Sequence, residues 1–426
     1  MTPGNKDELL FDELVWVEKA REEHETFSAT ISGSGAQVLY LATLLEEVLT
    51  DRELAVEFVD AHVTDDLCGR RLAERVRRFL IELPVPGLVR HLIGGVTLEE
   101  VGEAEGLFAA LHGPDDFILT PLPNAVFMRD SSVWVGDGVI LNPMNRPVRQ
   151  RETDLLRLIY GLHPRFAGTP IWFGDQPGEH YPASVEGGDV LVVGERGLAI
   201  GISERTTPSG AAALAARLFE QNVVDRILAV ELPNARSTMH LDTVVTMVDV
   251  DAFVLYPKIR QQVRALEGTP GADGHLKVVE LPDLVAGLAW ATGRDDVRSI
   301  EPPLHSVQAE REQWNDANNT FALAPGEVVV YERNVATNEV LEEAGITVHR
   351  ISSSELSRGR GGPRCMTCPS SGIPSHPGGE THPGDPVGYS GRMCLFRRVQ
   401  HDRTTAVQLP PDGVPVPSRA GPQRIG

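Results

Sequence analysis

Cysteine is scarce in this chain: Cys68, Cys365, Cys368 and Cys394 are the only thiols among 426 residues. Four cysteines cannot form the disulfide framework on which small secreted domains depend. Cys365 and Cys368 make a single CxxC without the second cysteine or histidine pair that a structural zinc site requires, and no metal or cofactor is expected. Lysine is equally rare, at Lys6, Lys19, Lys258 and Lys277 out of 39 basic residues. With 60 acids the formal charge is −21, which argues against a nucleic-acid partner, since phosphate binding needs clustered cations. No apolar run approaches the roughly 20 residues of a membrane span. The opening MTPGNKDELLFDELVW is acidic where a signal peptide needs a basic flank and an apolar core. A cytoplasmic protein without a membrane or nucleic-acid partner is the resulting expectation.

What remains is an ordinary globular composition, 41% hydrophobic and 23% charged, long enough for one large domain or two to three smaller ones. Residues 6–30 carry apolar residues at helical spacing, and GAQVLYL at 35–41 reads as a strand. Residues 42–115 are helical in pattern, with apolar positions at i, i+3, i+4 and i+7, and read as a helical subdomain. From 116 to 368 strands and helices alternate. Beyond Cys368, residues 369–426 hold 10 prolines and 9 glycines without periodicity and read as disordered. Such a tail is also what an arginine-rich, GC-rich gene yields when read out of frame.

The 116–368 segment contains one strand–turn–strand phrase four times: RDSSVWVGDGVILNPM from Arg129, GGDVLVVGERGLAIGI from Gly187, HLDTVVTMVDVDAFVLYP from His240 and NNTFALAPGEVVVYE from Asn318. Each opens on a polar residue, namely Asp130, Asp189, Asp242 and Asn319, and turns about six positions later. Repeated β units with helices between them predict radial or stacked symmetry, each unit closing its core on its neighbours. The repeated polar position would then face a shared axis, where three acids suit a cationic ligand.

Four segments concentrate the reactive residue types: PLPNAVFMRD at 121–130, EGGDV at 186–190, MHLDTV at 239–244 and RGRGGPRCMTCP at 358–369. Singly, each has a bland reading. Asp130 and Asp242 suit turn caps, Gly187 and Gly188 suit a bulge, His240 suits a structural histidine, and Cys365 a small inert core residue. Three of the four segments sit at the same phase of the repeat, so folding brings two aspartates, a glutamate and a histidine together, and the fourth supplies a cysteine. Arg358, Arg360 and Arg364 around Cys365 are expected to favour a thiolate.

This combination resembles the arginine deiminases of the guanidino-group-modifying, or pentein, superfamily. LPNxxFxRD, EGGD, HLDT and GRGGxxCM stand in the family's order, and the resemblance runs from Thr2 to Cys368. It implies a mixed α/β fold: a five-bladed, pseudo-symmetric α/β propeller with an inserted helical subdomain. Residues 1–41 would begin the first module, 42–115 form the helical insert, 116–368 the catalytic propeller and 369–426 the tail. It also implies that a strand region normally precedes Met1, and that the family chain ends soon after the cysteine.

The activity implied is hydrolysis of free L-arginine to L-citrulline and ammonia, without a cofactor. Cys365 would be the nucleophile, His240 the general acid and base, and Glu186 its partner at the guanidinium. Asp130 and Asp242 would hold the guanidinium nitrogens. Arg149, Arg205 and Arg360 would clamp the α-carboxylate, with Asn124 and Phe127 lining the pocket. A planar guanidinium with five fixed N–H donors is met by bidentate carboxylates. A thiolate divides attack on its delocalised carbon into two easier steps, and histidine protonates the departing ammonia near neutral pH. A homo-oligomer is expected. The alternatives are a related enzyme acting on methylarginine, agmatine or an amidino acceptor, or an inactive arginine-binding product of a disrupted gene.

Overall fold

The computed structural model describes residues 1–102, 105–271, 276–303 and 307–370, with the backbone of 393–396. The four phrases of the sequence become four copies of one topology. In each, an antiparallel hairpin is followed by a helix that returns the chain to a third strand, parallel to the second. The first unit is Ser132–Val135, Gly138–Leu141, helix Pro147–Leu162 and Ile171–Phe173. The second is Val190–Val192, Gly197–Ile202, helix Pro208–Glu220 and Arg226–Glu231. It is widened by two further strands, Arg264–Pro270 and Leu276–Glu280. The third is Val245–Asp249, Ala252–Leu255, helix Leu284–Thr292 and Arg298–Ile300. The fourth is Phe321–Ala324, Glu327–Tyr331, helix Val335–Glu343 and Thr347–Ile351.

Local chemistry explains the pattern. Each first strand is only three to five residues long, largely buried in the first three units and half-buried beyond Phe321 in the fourth, so it reads as a β-branched or apolar run. Gly136 and Gly326 take φ of +61° and +74° at two of the hairpin turns, conformations in which a Cβ is costly. Pro147 and Pro208 open their helices at the position where a missing N–H costs nothing.

These strands belong to separate sheets, and among the described residues no single closed sheet joins them. The structure is therefore a mixed α/β assembly of several sheets. A further parallel pair joins Gln37–Tyr40 to Met393–Phe396. The expectation of disorder over 369–426 otherwise lies outside the described residues.

Helices Leu41–Val48, Arg52–His62, Arg70–Glu82 and Val85–Gly94 occupy most of the stretch read as helical. Asp51 caps the second of these, accepting from the N–H groups of Glu53 and Leu54. Their apolar faces do not form a core of their own. Leu45, Val59, Val76, Leu80 and Leu88 share one cluster with Trp134, Val139, Leu155 and Ile159 of the first unit.

The helix expected over 6–30 starts late, at Val17. Residues before it are held in non-helical contacts. Leu9 is buried, Asn124 Nδ2 donates to its carbonyl at 2.7 Å, and Leu10 turns through φ +62°. Likewise 281–300 divides into helix Leu284–Thr292 and strand Arg298–Ile300, with Gly293 in the left-handed conformation that ends the helix.

Candidate active site

The polar opening residues lie one to three positions before their strands, in short turns or helices that aim them off the strand ends. Asp130 sits in Met128–Ser131, Asp189 in Gly187–Asp189, Asp242 in Leu241–Thr243, and Asn319 just before Phe321. Because the units repeat, these turns converge, and the loop carrying Cys365 enters among them. Leu10, Asn124, Phe127, Asp130, Arg149, Arg205, Arg236, Met239, His240, Thr243, Gly359, Arg360 and Cys365 line one cavity of about 20 Å³, the room of about one water. A larger groove of about 230 Å³ beside Trp172, His180 and Arg217 shares no residue with it and contains no nucleophile.

His240 is buried and held from both ring nitrogens. Its Nε2 is 2.8 Å from Glu186 Oε2, and its Nδ1 is 3.7 Å from Asp130 Oδ1. Gly188 lies directly beneath: a Cβ there would stand 2.5 Å from Nδ1, so only glycine admits the ring. Burial lowers the imidazole pKa, but Asp130, the Glu186 hydrogen bond and Asp189 outweigh it and raise the value to about 9. Burial raises the Glu186 pKa, yet Arg205, His240 and Arg149 overcome it and hold the carboxyl at about 2. The site thus contains a charged imidazolium beside a permanently ionised carboxylate.

Cys365 Sγ lies 3.8 Å from Asp242 Oδ2 and is 4% exposed as a residue. Burial first, then Asp242, Asp130 and Asp316, push this thiol well above the ordinary cysteine range. That corrects the expectation that neighbouring arginines favour a thiolate. Arg358 points to the surface and pairs with Glu355 at 3.0 Å. Arg364 donates to Asp242 at 3.0 Å and to the Val190 carbonyl at 3.1 Å. Acids, not arginines, dominate the nucleophile's surroundings. Asp130 and Asp242 each leave one oxygen, Oδ1, buried without a hydrogen-bond partner, an arrangement ready for donors from a ligand.

The three arginines expected at a carboxylate differ. Arg149 is occupied: Nη1 meets Asp130 at 2.6 Å, and Nε and Nη2 meet Glu152 at 3.2 and 2.8 Å. Arg205 donates to Glu204 at 2.8 Å and to Glu186 at 3.2 Å. Arg360, at φ +60°, stacks on Trp314 at 3.8 Å, and all three of its nitrogens lack a hydrogen-bond partner. Phe127 faces Phe11 with centroids 6.5 Å apart.

Sequence reasoning missed Leu10 and Arg236, which close the cavity from segments bearing no motif, and Met239, which opens the MHLDTV segment. It counted Asp189 among three acids facing a cationic ligand, but Asp189 lies outside the cavity lining, and it assigned no role to Asn319. Asp189 is wholly buried; burial pushes it up to about 7 against His240, and it accepts from Leu241 N at 2.8 Å and Ser203 Oγ at 2.7 Å. Among the described residues, one group has cation-ligating spacing: Asp130, Glu186 and His240, whose ligand atoms lie within 4.8 Å of one another. Arg149 and Arg205 already neutralise its two carboxylates.

A buried cysteine, a carboxylate-held imidazolium and two half-satisfied aspartates define a site for covalent chemistry on a small cation. The arginine deiminase family profile matches residues 7–371, and this chain belongs to that family. Its members are hydrolases acting on the C–N bonds of amidines.

Among solved structures, the chain is similar to unliganded AgrE (20% identity, TM-score 0.41), with 58% of this chain covered but only 30% of AgrE's length. It is similar to the N-terminal domain of ArgZ, a cyanobacterial arginine dihydrolase (17% identity, TM-score 0.42, 57% and 74% covered). A third likeness is to DDAH from Pseudomonas aeruginosa complexed with citrulline (21% identity, TM-score 0.40, 57% and 75% covered). These likenesses are too distant to bear on the function of this chain. No helix among the described residues is long and apolar enough to cross a membrane.

Proposed function

We propose that this protein hydrolyses free L-arginine to L-citrulline and ammonia through a covalent intermediate on Cys365. The observation that carries this reading is the meeting of Cys365, Asp130 and His240 on one small cavity, with Asp242 against the sulfur and Glu186 against the imidazole behind its wall. The five-bladed pentein propeller belongs to the same reading, and four like-wound units support it. So does a cytoplasmic, self-associating enzyme.

In this mechanism the guanidinium enters between Asp130 and Asp242, donating to their free oxygens. Its positive charge offsets the acids that suppress ionisation of the thiol, which then releases its proton to solvent. The thiolate forms a bond to the guanidinium carbon. His240, charged at neutral pH because its pKa is about 9, protonates one amino group, and ammonia leaves. The neutral imidazole next takes a proton from water as its oxygen bonds to the amidino carbon. The C–S bond breaks, the hydroxyl proton of the adduct is given up, and citrulline and the thiol are restored. Glu186 holds the imidazole throughout.

Arg360 and Arg205 supply the carboxylate clamp: no Arg360 nitrogen has a hydrogen-bond partner and Arg205 Nη2 meets only the Met239 sulfur at 4.0 Å, whereas every Arg149 nitrogen already bonds an oxygen. The cavity holds about 20 Å³, so arginine enters only when a wall formed by Leu10 or Arg360 moves aside. Citrulline release from arginine, agmatine and dimethylarginine tests the assignment. Loss of the α-carboxylate leaves buried arginine charge unpaired at about 3 kcal/mol, an over 100-fold preference for arginine. Equal turnover of agmatine, or none of arginine, overturns the reading. Cys365→Ser should abolish turnover.

A further inference from the structure

The fourth unit breaks the acid pattern of the repeat: Asn319 stands where the other units carry Asp130, Asp189 and Asp242. Its side chain is fully buried and lies outside the cavity lining. It bridges the two loops on which the chemistry depends. Oδ1 accepts the N–H of Cys365 at 3.0 Å, while Nδ2 donates to the carbonyl of Asp242 at 3.2 Å. The Asn319 carbonyl also accepts the N–H of Arg364 at 3.4 Å. Gly362 packs flush against it, since a Cβ there would come within 2.7 Å of Asn319 Cβ and Oδ1.

An ionised acid cannot do this. A carboxylate accepts but cannot donate, so an ionised acid would set its lone pairs against the Asp242 carbonyl. It would also add a negative charge beside a thiol already raised by Asp242, Asp130 and Asp316. The cations that bear on Asp242 at this point are Arg364, His240 and Arg129.

We infer that Asn319 is a positioning residue for the reaction: its amide sets the placement of Cys365 against Asp242 and keeps the ground beneath the nucleophile uncharged. This rests on the reading of Cys365 as nucleophile.

The test is Asn319→Asp beside Asn319→Ser, each checked for folding by circular dichroism. A protonated carboxyl has the shape of the amide and restores one donor and one acceptor. At pH 8 the Asp variant should therefore lose about 100-fold in kcat, the scale of a 1 Å misplacement, with KM changed little. Its deficit against the wild type should shrink at least tenfold by pH 5.5. The Ser variant should lose kcat without that recovery.

In the absence of arginine, alkylation of Cys365 by a haloacetamidine should show its thiol ionising at higher pH in the Asp variant only. Wild-type kcat in the Asp variant at pH 8, or an identical pH-independent loss in both variants with unchanged alkylation profiles, overturns the inference. Wild-type protein that releases no citrulline refutes the arginine reading instead, and the alkylation profiles still decide the role of Asn319. Should the Asp variant not fold, an unchanged kcat in the Ser variant overturns it equally.

Discussion

Replacing Glu186 by Gln isolates the electrostatic support of the imidazolium. His240 titrates at about 9 against an ordinary 6.5, a difference corresponding to roughly 3 kcal/mol in favour of the charged ring. Asp130 is the largest favourable influence and the Glu186 hydrogen bond the next. A glutamine at 186 still offers an acceptor to Nε2 but no charge, and leaves Arg205 with Glu204 as its one remaining acidic partner. If the pKa returns to its ordinary value, the imidazolium share at pH 8 falls from about 0.9 to about 0.03, slowing ammonia departure roughly 30-fold. At pH 6 the loss should be slight.

The sign follows from a raised folded-state pKa: stability contributed by the charged ring is complete below about 6.5 and lost as pH rises through about 9. Citrulline release across pH 5.5–9.5, with an NMR titration of the His240 ring, measures both effects. An alkaline limb still near pH 9 in Glu186→Gln would refute the reasoning.

Two further outcomes follow from the packing. Gly188→Ala places a methyl 2.5 Å from His240 Nδ1. It should displace the ring from Glu186, costing about 100-fold in kcat, seen in steady-state kinetics and in a changed imidazole titration. Glu23 accepts from the N–H groups of Ser354, Glu355 and Leu356 at 2.8, 3.0 and 3.0 Å, securing the segment that leads into the Cys365 loop. Burial raises its pKa, but these donors lower it further, below the ordinary range. Glu23→Gln should cost about 2 kcal/mol in urea unfolding at pH 7. The difference between the two proteins should be full above the ordinary value of 4.5 and fade as pH falls from there through the lowered value of the folded carboxylate.

The sequence by itself determined the repeating unit and its phase. Alternating apolar runs, turn glycines and helix-opening prolines act within a few residues, so four hairpin–helix–strand units were legible, with Asp130, Asp189, Asp242 and Asn319 at one position in each. Four motifs in the right order likewise placed the chain among the arginine deiminases. The N-terminal helix was misjudged because Leu9 and Leu10 have an apolar spacing that suits a helix, while contacts to Asn124 and Arg236, more than 100 residues away, hold them otherwise.

Only the tertiary structure decided the charge state of the site. Arginine-rich sequence around Cys365 suggested a thiolate, yet packing turns Arg358 outward, ties Arg364 to Asp242 and surrounds the sulfur with acids. It also distinguished the occupied Arg149 from Arg360, whose nitrogens have no hydrogen-bond partner and reach Asp12 only at 3.9 Å, and drew in Arg236 without a motif to announce it. The reason is distance in the chain. Hydrogen-bonding pattern is local, whereas a buried charge answers to every group packed within several ångströms, and those groups come from units that sequence order keeps far apart.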